Sequence, residues 1–136
     1  MMMDAKLITL RDVFGYHEFK PFQEEAVDMV LQGKDCIITA RTGFGKTEVW
    51  GIPHVMQEKH TLVITPTVAL TQNLEDRVKN LPDPQEVFSF SALNSHRDIN
   101  VGQIQTAAKC IILSTPEQTL VDPSRLVWWI CSDTTE

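Results

Sequence analysis

The chain has 136 residues, 43% apolar and 22% charged, with a formal net charge of −6 at neutral pH. That length allows one domain around one hydrophobic core, and the absence of repeats and low-complexity tracts excludes fibrous and disordered classes. The acidic balance argues against tight nucleic-acid binding through a basic surface, so any such contact has to use backbone amides and a few polar side chains.

Residues 7–33 read as helical. Pro21 is suited to open a helix at its first position and Gly33 to close one, with Phe22, Ala26, Met29 and Val30 on one face between them. Next comes a β-rich run, Asp35–Ala40, which leads into Arg41-Thr42-Gly43-Phe44-Gly45-Lys46-Thr47 and a helix starting near Lys46. Further β-rich runs follow at Thr61–Thr65, Glu86–Phe90, Cys110–Ser114 and Leu126–Cys131. The helix after Pro66 carries Leu70, Leu74, Val78 and Leu81 at helical spacing and ends at Pro82-Asp83-Pro84. Strands alternating with helices predict a three-layer α/β fold with a mainly parallel central sheet and right-handed crossovers. No linker divides the chain, so 1–136 is expected to be a single domain.

Met1–Lys6 is not followed by the apolar stretch of a secretory signal, and the longest apolar runs are too short to span a bilayer. Cys36, Cys110 and Cys131 each sit in an apolar run with no cysteine or histidine at ligand spacing. They are expected to be free, buried thiols of a reducing compartment.

The segment from Arg41 to Thr47 carries the chemistry. Glycines let successive backbone N–H groups curl around phosphates, and the helix that follows adds the positive end of its dipole. Lys46 supplies a point charge for the β- and γ-phosphates, and the Thr47 hydroxyl is placed to ligate Mg²⁺. A nucleoside triphosphate with Mg²⁺ is the ligand this order of strand, loop and helix suggests. An unrelated phosphate-loop enzyme such as a nucleotide kinase fits less well, because no arginine-rich lid is present.

Upstream stands Leu10-x3-Phe14-Gly15-x3-Phe19-Lys20-x2-Gln23-x2-Ala26. Here the chain resembles the RecQ family of ATP-dependent DNA helicases, whose adenine-reading motif 0 has this spacing. The resemblance continues in Trp50-Gly51-Ile52-Pro53, in Thr65-Pro66-Thr67-Val68-Ala69-Leu70-Thr71-Gln72 (like motif Ia) and in Ser114-Thr115-Pro116-Glu117 (like motif Ib). It runs from about Leu10 to Leu120. Ala40 replaces the usual first glycine of the phosphate loop, a replacement that helicases of superfamily 2 commonly tolerate.

The resemblance implies the N-terminal RecA-like lobe of a 3′-to-5′ helicase, with 7–33 as the adenine-reading segment. Gln23 and Lys20 would then contact adenine, Tyr16 would stack on it, and residues 41–47 would bind the phosphates. Thr67, Gln72, Thr115 and Glu117 would meet the DNA backbone. A second RecA-like lobe would be the partner, and the family suggests a nuclear setting. The pattern departs at Cys131-Ser132-Asp133-Thr134-Thr135-Glu136. Asp133 stands where the metal-binding aspartate belongs, but Thr134 takes the place of the glutamate that activates water. An equally good reading makes this tail unrelated to that motif. The alternatives are thus a helicase lobe, inactive in isolation, and a non-catalytic nucleotide-binding or regulatory module derived from one.

Overall fold

The computed structural model describes residues 4–41, 43–90, 103–104 and 106–116. Two compact units emerge: Met1–Glu58 with Leu81–Asp83, and Lys59–Asn80 with Pro84–Glu136.

The first unit is helical, with α1 (Ala5–Asp12), α2 (Gln23–Leu31) and α3 (Lys46–Met56). Asp4 caps α1 by accepting the Lys6 amide at 2.9 Å. Gly15, at φ 83°, turns the chain so that the Tyr16 amide bonds back to the Leu10 carbonyl at 3.2 Å. The core joins Leu10, Val13, Phe14, Val27 and Ile52, flanked by Leu7, Phe19, Leu31, Val55 and Leu81. Gly51 lets α3 approach α1's end closely, since a β-carbon there would meet the Phe14 ring at 2.7 Å. The Lys6 ammonium ties the start of α1 to α2 through Asp28 at 2.6 Å and Glu24 at 2.9 Å. Its hydrogen bond to Asp28 first, and Glu24 after, raise its pKa above the ordinary lysine value against the opposing pull of burial.

Gly33 closes α2 with φ 75°, as its position predicts. The start differs. Pro21 precedes the helix, and Phe22 occupies the N-cap position in the left-handed region at φ 67°. That turn throws Phe22 into solvent, so α2 buries Gln23, Ala26 and Val27, not the face of Phe22 and Met29.

The second unit holds β1 (Thr61–Ile64), α4 (Val68–Lys79), β2 (Val87–Phe90) and β3 (Ile111–Ser114). The sheet has the order β1-β3-β2 and both pairings are parallel, with Thr61 and Val87 each opposite Ile111. As the central strand, β3 is buried along its whole length, which is why it reads as an unbroken apolar run. Phe90, Ile104, Cys110 and Ile112 form the core, with Leu62, Phe88 and Ala107 against it. Helix α4 is capped by Thr67, whose hydroxyl accepts the Leu70 amide at 3.1 Å, and it packs on β2 and β3. Its buried residues are Thr71 and Val78, while Leu70 is exposed.

The expected strand Asp35–Ala40 is not one: 34–41 carries no ladder among the described residues, and Ile37 is 96% exposed. A strand exists only through a paired neighbour, so apolar β-branched residues alone do not make one. The run Leu126–Cys131 lies outside the described residues. No described helix is long and apolar enough to cross a membrane.

Candidate nucleotide site

The loop between Ala40 and α3 has Gly43 at φ 92° and Gly45 at φ 90°, conformations that side-chain-bearing residues rarely adopt. The Phe44 amide closes a turn on the Arg41 carbonyl at 3.2 Å. Gly45 is the N-cap of α3, and no side chain caps that helix. A glycine-rich loop running into an uncapped helix start is the backbone geometry that receives phosphate oxygens. Lys46 is exposed, Thr47 is buried at the first turn, and Arg41 is exposed at the loop's entry. Thr42 lies outside the described residues.

Motif 0 reaches this loop directly. Gln23 is only 3% exposed. Its Oε1 accepts the Lys20 amide at 3.0 Å, and its Nε2 donates to the Gly45 carbonyl at 3.1 Å. The Lys20 ammonium donates to the Gly43 carbonyl. Sequence reasoning assigned Lys20 to adenine, but the structure places its charge on the phosphate loop. Nothing in the sequence signals that contact, because the two residues are 23 positions apart. Tyr16 is 44% exposed, open to stacking.

A groove of about 880 Å³ opens beside the loop, between Lys20, Phe22 and Met29 on one side and Ile38, Ala40 and Arg41 on the other. Tyr16, Gln23, Lys46 and Thr47 do not line it.

The residues present fit a Mg²⁺-nucleotide in part. The loop geometry suits a triphosphate, and the Thr47 hydroxyl is the described candidate for a metal contact. The other candidate, Asp133, lies outside the described residues. Among the described residues no cluster of three or more histidine, cysteine, aspartate or glutamate side chains could hold a metal ion unaided.

In the second unit the motif Ia and Ib segments start where β1 and β3 end. The Thr65 amide donates to the Ser114 carbonyl at 2.9 Å, and the Thr115 amide to Phe90 at 3.3 Å. Thr67 and Gln72 are exposed. Thr115 is 2% exposed, so its side chain offers no surface to a phosphate, contrary to its expected role. Glu117 lies outside the described residues. Sequence reasoning also missed a buried hydroxyl cluster: Thr65 and Thr71 share a hydrogen bond, and Thr71 bonds the Thr67 carbonyl at 3.0 Å. The six-residue spacing of two threonines was the one available signal.

The Cys110 thiol is pushed up to about 12, by burial first and by Glu86 second, and its sulfur lies 3.4 Å from His60 Nδ1. It is protonated at neutral pH and is no nucleophile. Cys36 is free as well, and Cys131 lies outside the described residues.

Residues 20–126 match the DEAD/DEAH box helicase family. The chain is 36% identical over 117 residues to the ATP-dependent DNA helicase RecQ of Haemophilus influenzae, covering 85% of this chain and 19% of that protein. It is 40% identical over 134 residues to the DEAD-box ATP-dependent RNA helicase RhpA of Helicobacter pylori, covering 92% of this chain and 25% of that protein. The crystal structure of a hypothetical ATP-dependent RNA helicase from Sulfolobus tokodaii matches with a TM-score of 0.68 at 25% identity, over 90% of this chain and 37% of that one. The chain thus spans a quarter or less of the length of these curated relatives. With its parallel sheet, its phosphate loop and the family match across both, this chain is a RecA-like α/β lobe and belongs to the DEAD/DEAH box helicases.

Proposed function

We propose that the chain is the ATP-binding lobe of a RecQ-like ATP-dependent 3′-to-5′ DNA helicase, acting with a second RecA-like lobe inside a reducing compartment, the nucleus by family likeness. The observation that carries this reading is the seat of Gln23 against the phosphate loop, at 3.1 Å from the Gly45 carbonyl. That contact supports reading a RecQ-type motif 0 and the phosphate loop as one site.

In this reading Lys46 and the amides of 43–47 hold the β- and γ-phosphates, while Arg41 and Phe44 flank them. Thr47 would give its hydroxyl to Mg²⁺, and Asp133 would be the carboxylate that holds it by resemblance; the ion would supply neutralisation of phosphate charge. Gln23 keeps one N–H and one oxygen lone pair beyond its two internal bonds, and because it is buried its amide has to shift toward the base to pair them with an adenine edge. Tyr16 stacks on the base. Thr67 and Gln72 meet the nucleic-acid backbone, joined by the loop of Thr115 and Glu117 through main-chain groups, a mode that suits an acidic lobe.

RNA is the second reading of the substrate, favoured by the match to the RNA helicase of Helicobacter pylori over 92% of this chain. The departure at Thr134 favours instead a nucleotide-binding module without turnover. Titration with ATP and GTP, and with single-stranded DNA and RNA of one sequence, separates these readings. The expected result is ATP bound more tightly than GTP, with Gln23→Ala losing about 1–3 kcal/mol for ATP and less for GTP, and DNA bound more tightly than RNA. Equal losses for the two nucleotides would remove the adenine-reading role.

A further inference from the structure

We infer that Lys20 and Gln23 are positioning residues for the phosphate loop itself, acting on any polyphosphate whatever base it carries. The inference rests on the nucleotide-binding reading above and deepens it. A phosphate loop works when its N–H groups converge, which obliges its carbonyls to point outward. Two of those carbonyls are held from outside. Gly43's is bonded by the Lys20 ammonium and Gly45's by the Gln23 amide.

The loop needs such fixing. Both glycines sit at positive φ, and among the described residues a β-carbon on Gly43 would meet nothing within 4 Å, so no neighbour confines the chain on that side. Glycine loses more conformational freedom on ordering than other residues. Hydrogen bonds that order the loop beforehand lower the cost of binding. At Gly45 a β-carbon would lie 2.3 Å from the Gln23 amide nitrogen, so a side chain there would have to displace the brace.

The brace is itself braced. The Lys20 amide donates to Gln23 Oε1, and the Gln23 amide returns a bond to the Lys20 carbonyl at 3.0 Å. With Oε1 claimed by a donor, only the amide nitrogen can face the Gly45 carbonyl. One short turn therefore delivers two donors to two loop carbonyls.

The test uses the full 136-residue chain and inorganic triphosphate with Mg²⁺, a ligand without a base, alongside ATP and GTP in calorimetry. Lys20 is exposed, so Lys20→Met removes its donors without disturbing the core. Gln23→Met removes the neutral donor, which separates loop positioning from simple charge attraction. Both are expected to weaken triphosphate and GTP by about three- to tenfold, the range of one or two hydrogen bonds. Lys20→Arg, which keeps charge and donors, should return binding to within about twofold of the parent, a rescue that lost packing would not give. If triphosphate affinity stays unchanged in Lys20→Met and Gln23→Met while Gln23→Met still weakens ATP, the brace is wrong and the adenine-reading function stands. If the parent chain binds neither ATP nor triphosphate, the function and the brace fall together.

Discussion

Phe22 carries an unusual backbone load for an exposed aromatic residue. It is 72% exposed, yet it holds φ 67°, between the two residues whose side chains reach the phosphate loop. A left-handed conformation costs a residue with a side chain about 1–2 kcal/mol, and burial returns little of that here. Strain of this kind persists where the surroundings over-determine it, often at a binding site. Phe22→Gly should therefore raise stability in urea denaturation by about 0.5–1 kcal/mol, after glycine's extra unfolded-state entropy is counted. No gain would mean that the ring makes contacts that offset the strain. Cys110 makes a second residue-scale case. Its thiol moves from 9.0 in the unfolded reference to about 12 when folded, so the folded state retains a proton that the unfolded state releases. The contribution is complete below about pH 9 and fades as pH rises from there toward 12. Denaturation midpoints should fall across that window, less so in Cys110→Ala. Alkylation at pH 8 should spare Cys110 until the chain unfolds.

At the scale of elements, legibility followed from how much of an element's environment its own residues encode. β3 was readable because a strand buried on both faces has to be apolar throughout, and Cys110 to Leu113 is. Asp35–Ala40 has the same signature, but pairing is a property of the neighbour, and Ile37 stands in solvent instead. The helix faces slipped for local reasons. One left-handed residue rotated Phe22 off the face of α2, and in α4 the hydroxyl of Thr71 took a core position that leucine periodicity gave to Leu70. The phosphate loop was legible because the glycines and lysine that would receive phosphates are themselves the pattern. Its brace was not, because a lysine donating to a distant carbonyl leaves no pattern. Gly51 stands between these cases: the resemblance includes it within Trp50-Gly51-Ile52-Pro53, but the sequence assigns it no physical task. The structure supplies one, since a methyl there would press on Phe14 at 2.7 Å. Gly51→Ala should cost about 1–3 kcal/mol by overpacking, despite alanine's better helix propensity. Pairing it with Phe14→Leu should recover part of the loss, and stability curves of the two single variants and the double variant measure that coupling.

At the scale of the whole molecule, binding a nucleotide and turning it over separate. Phosphoryl transfer in such motors is positioning plus charge stabilisation. Under the proposed function the described residues would supply the binding half: the glycines of the loop, the Lys46 charge and the Thr47 hydroxyl. The other half needs a carboxylate to orient water and an arginine from a second lobe. Thr134 stands at the carboxylate's position by resemblance and has no basic group to offer. An arginine finger alone is worth roughly 10³–10⁵ in rate in related NTPases. Losing the water-orienting group costs further, although the two effects need not add. Unwinding also requires one lobe to open and close against another as nucleotide turns over. These 136 residues in isolation are therefore expected to bind ATP without hydrolysing it at an enzyme's ordinary rate. Steady-state ATPase with saturating single-stranded DNA tests this, with Lys46→Ala as the control for contaminating activity. Turnover of about 1 s⁻¹ or more, in the ordinary enzyme range and abolished by Lys46→Ala, would show that the residues after Cys131 complete the site and that the threonine at 134 is no obstacle to catalysis.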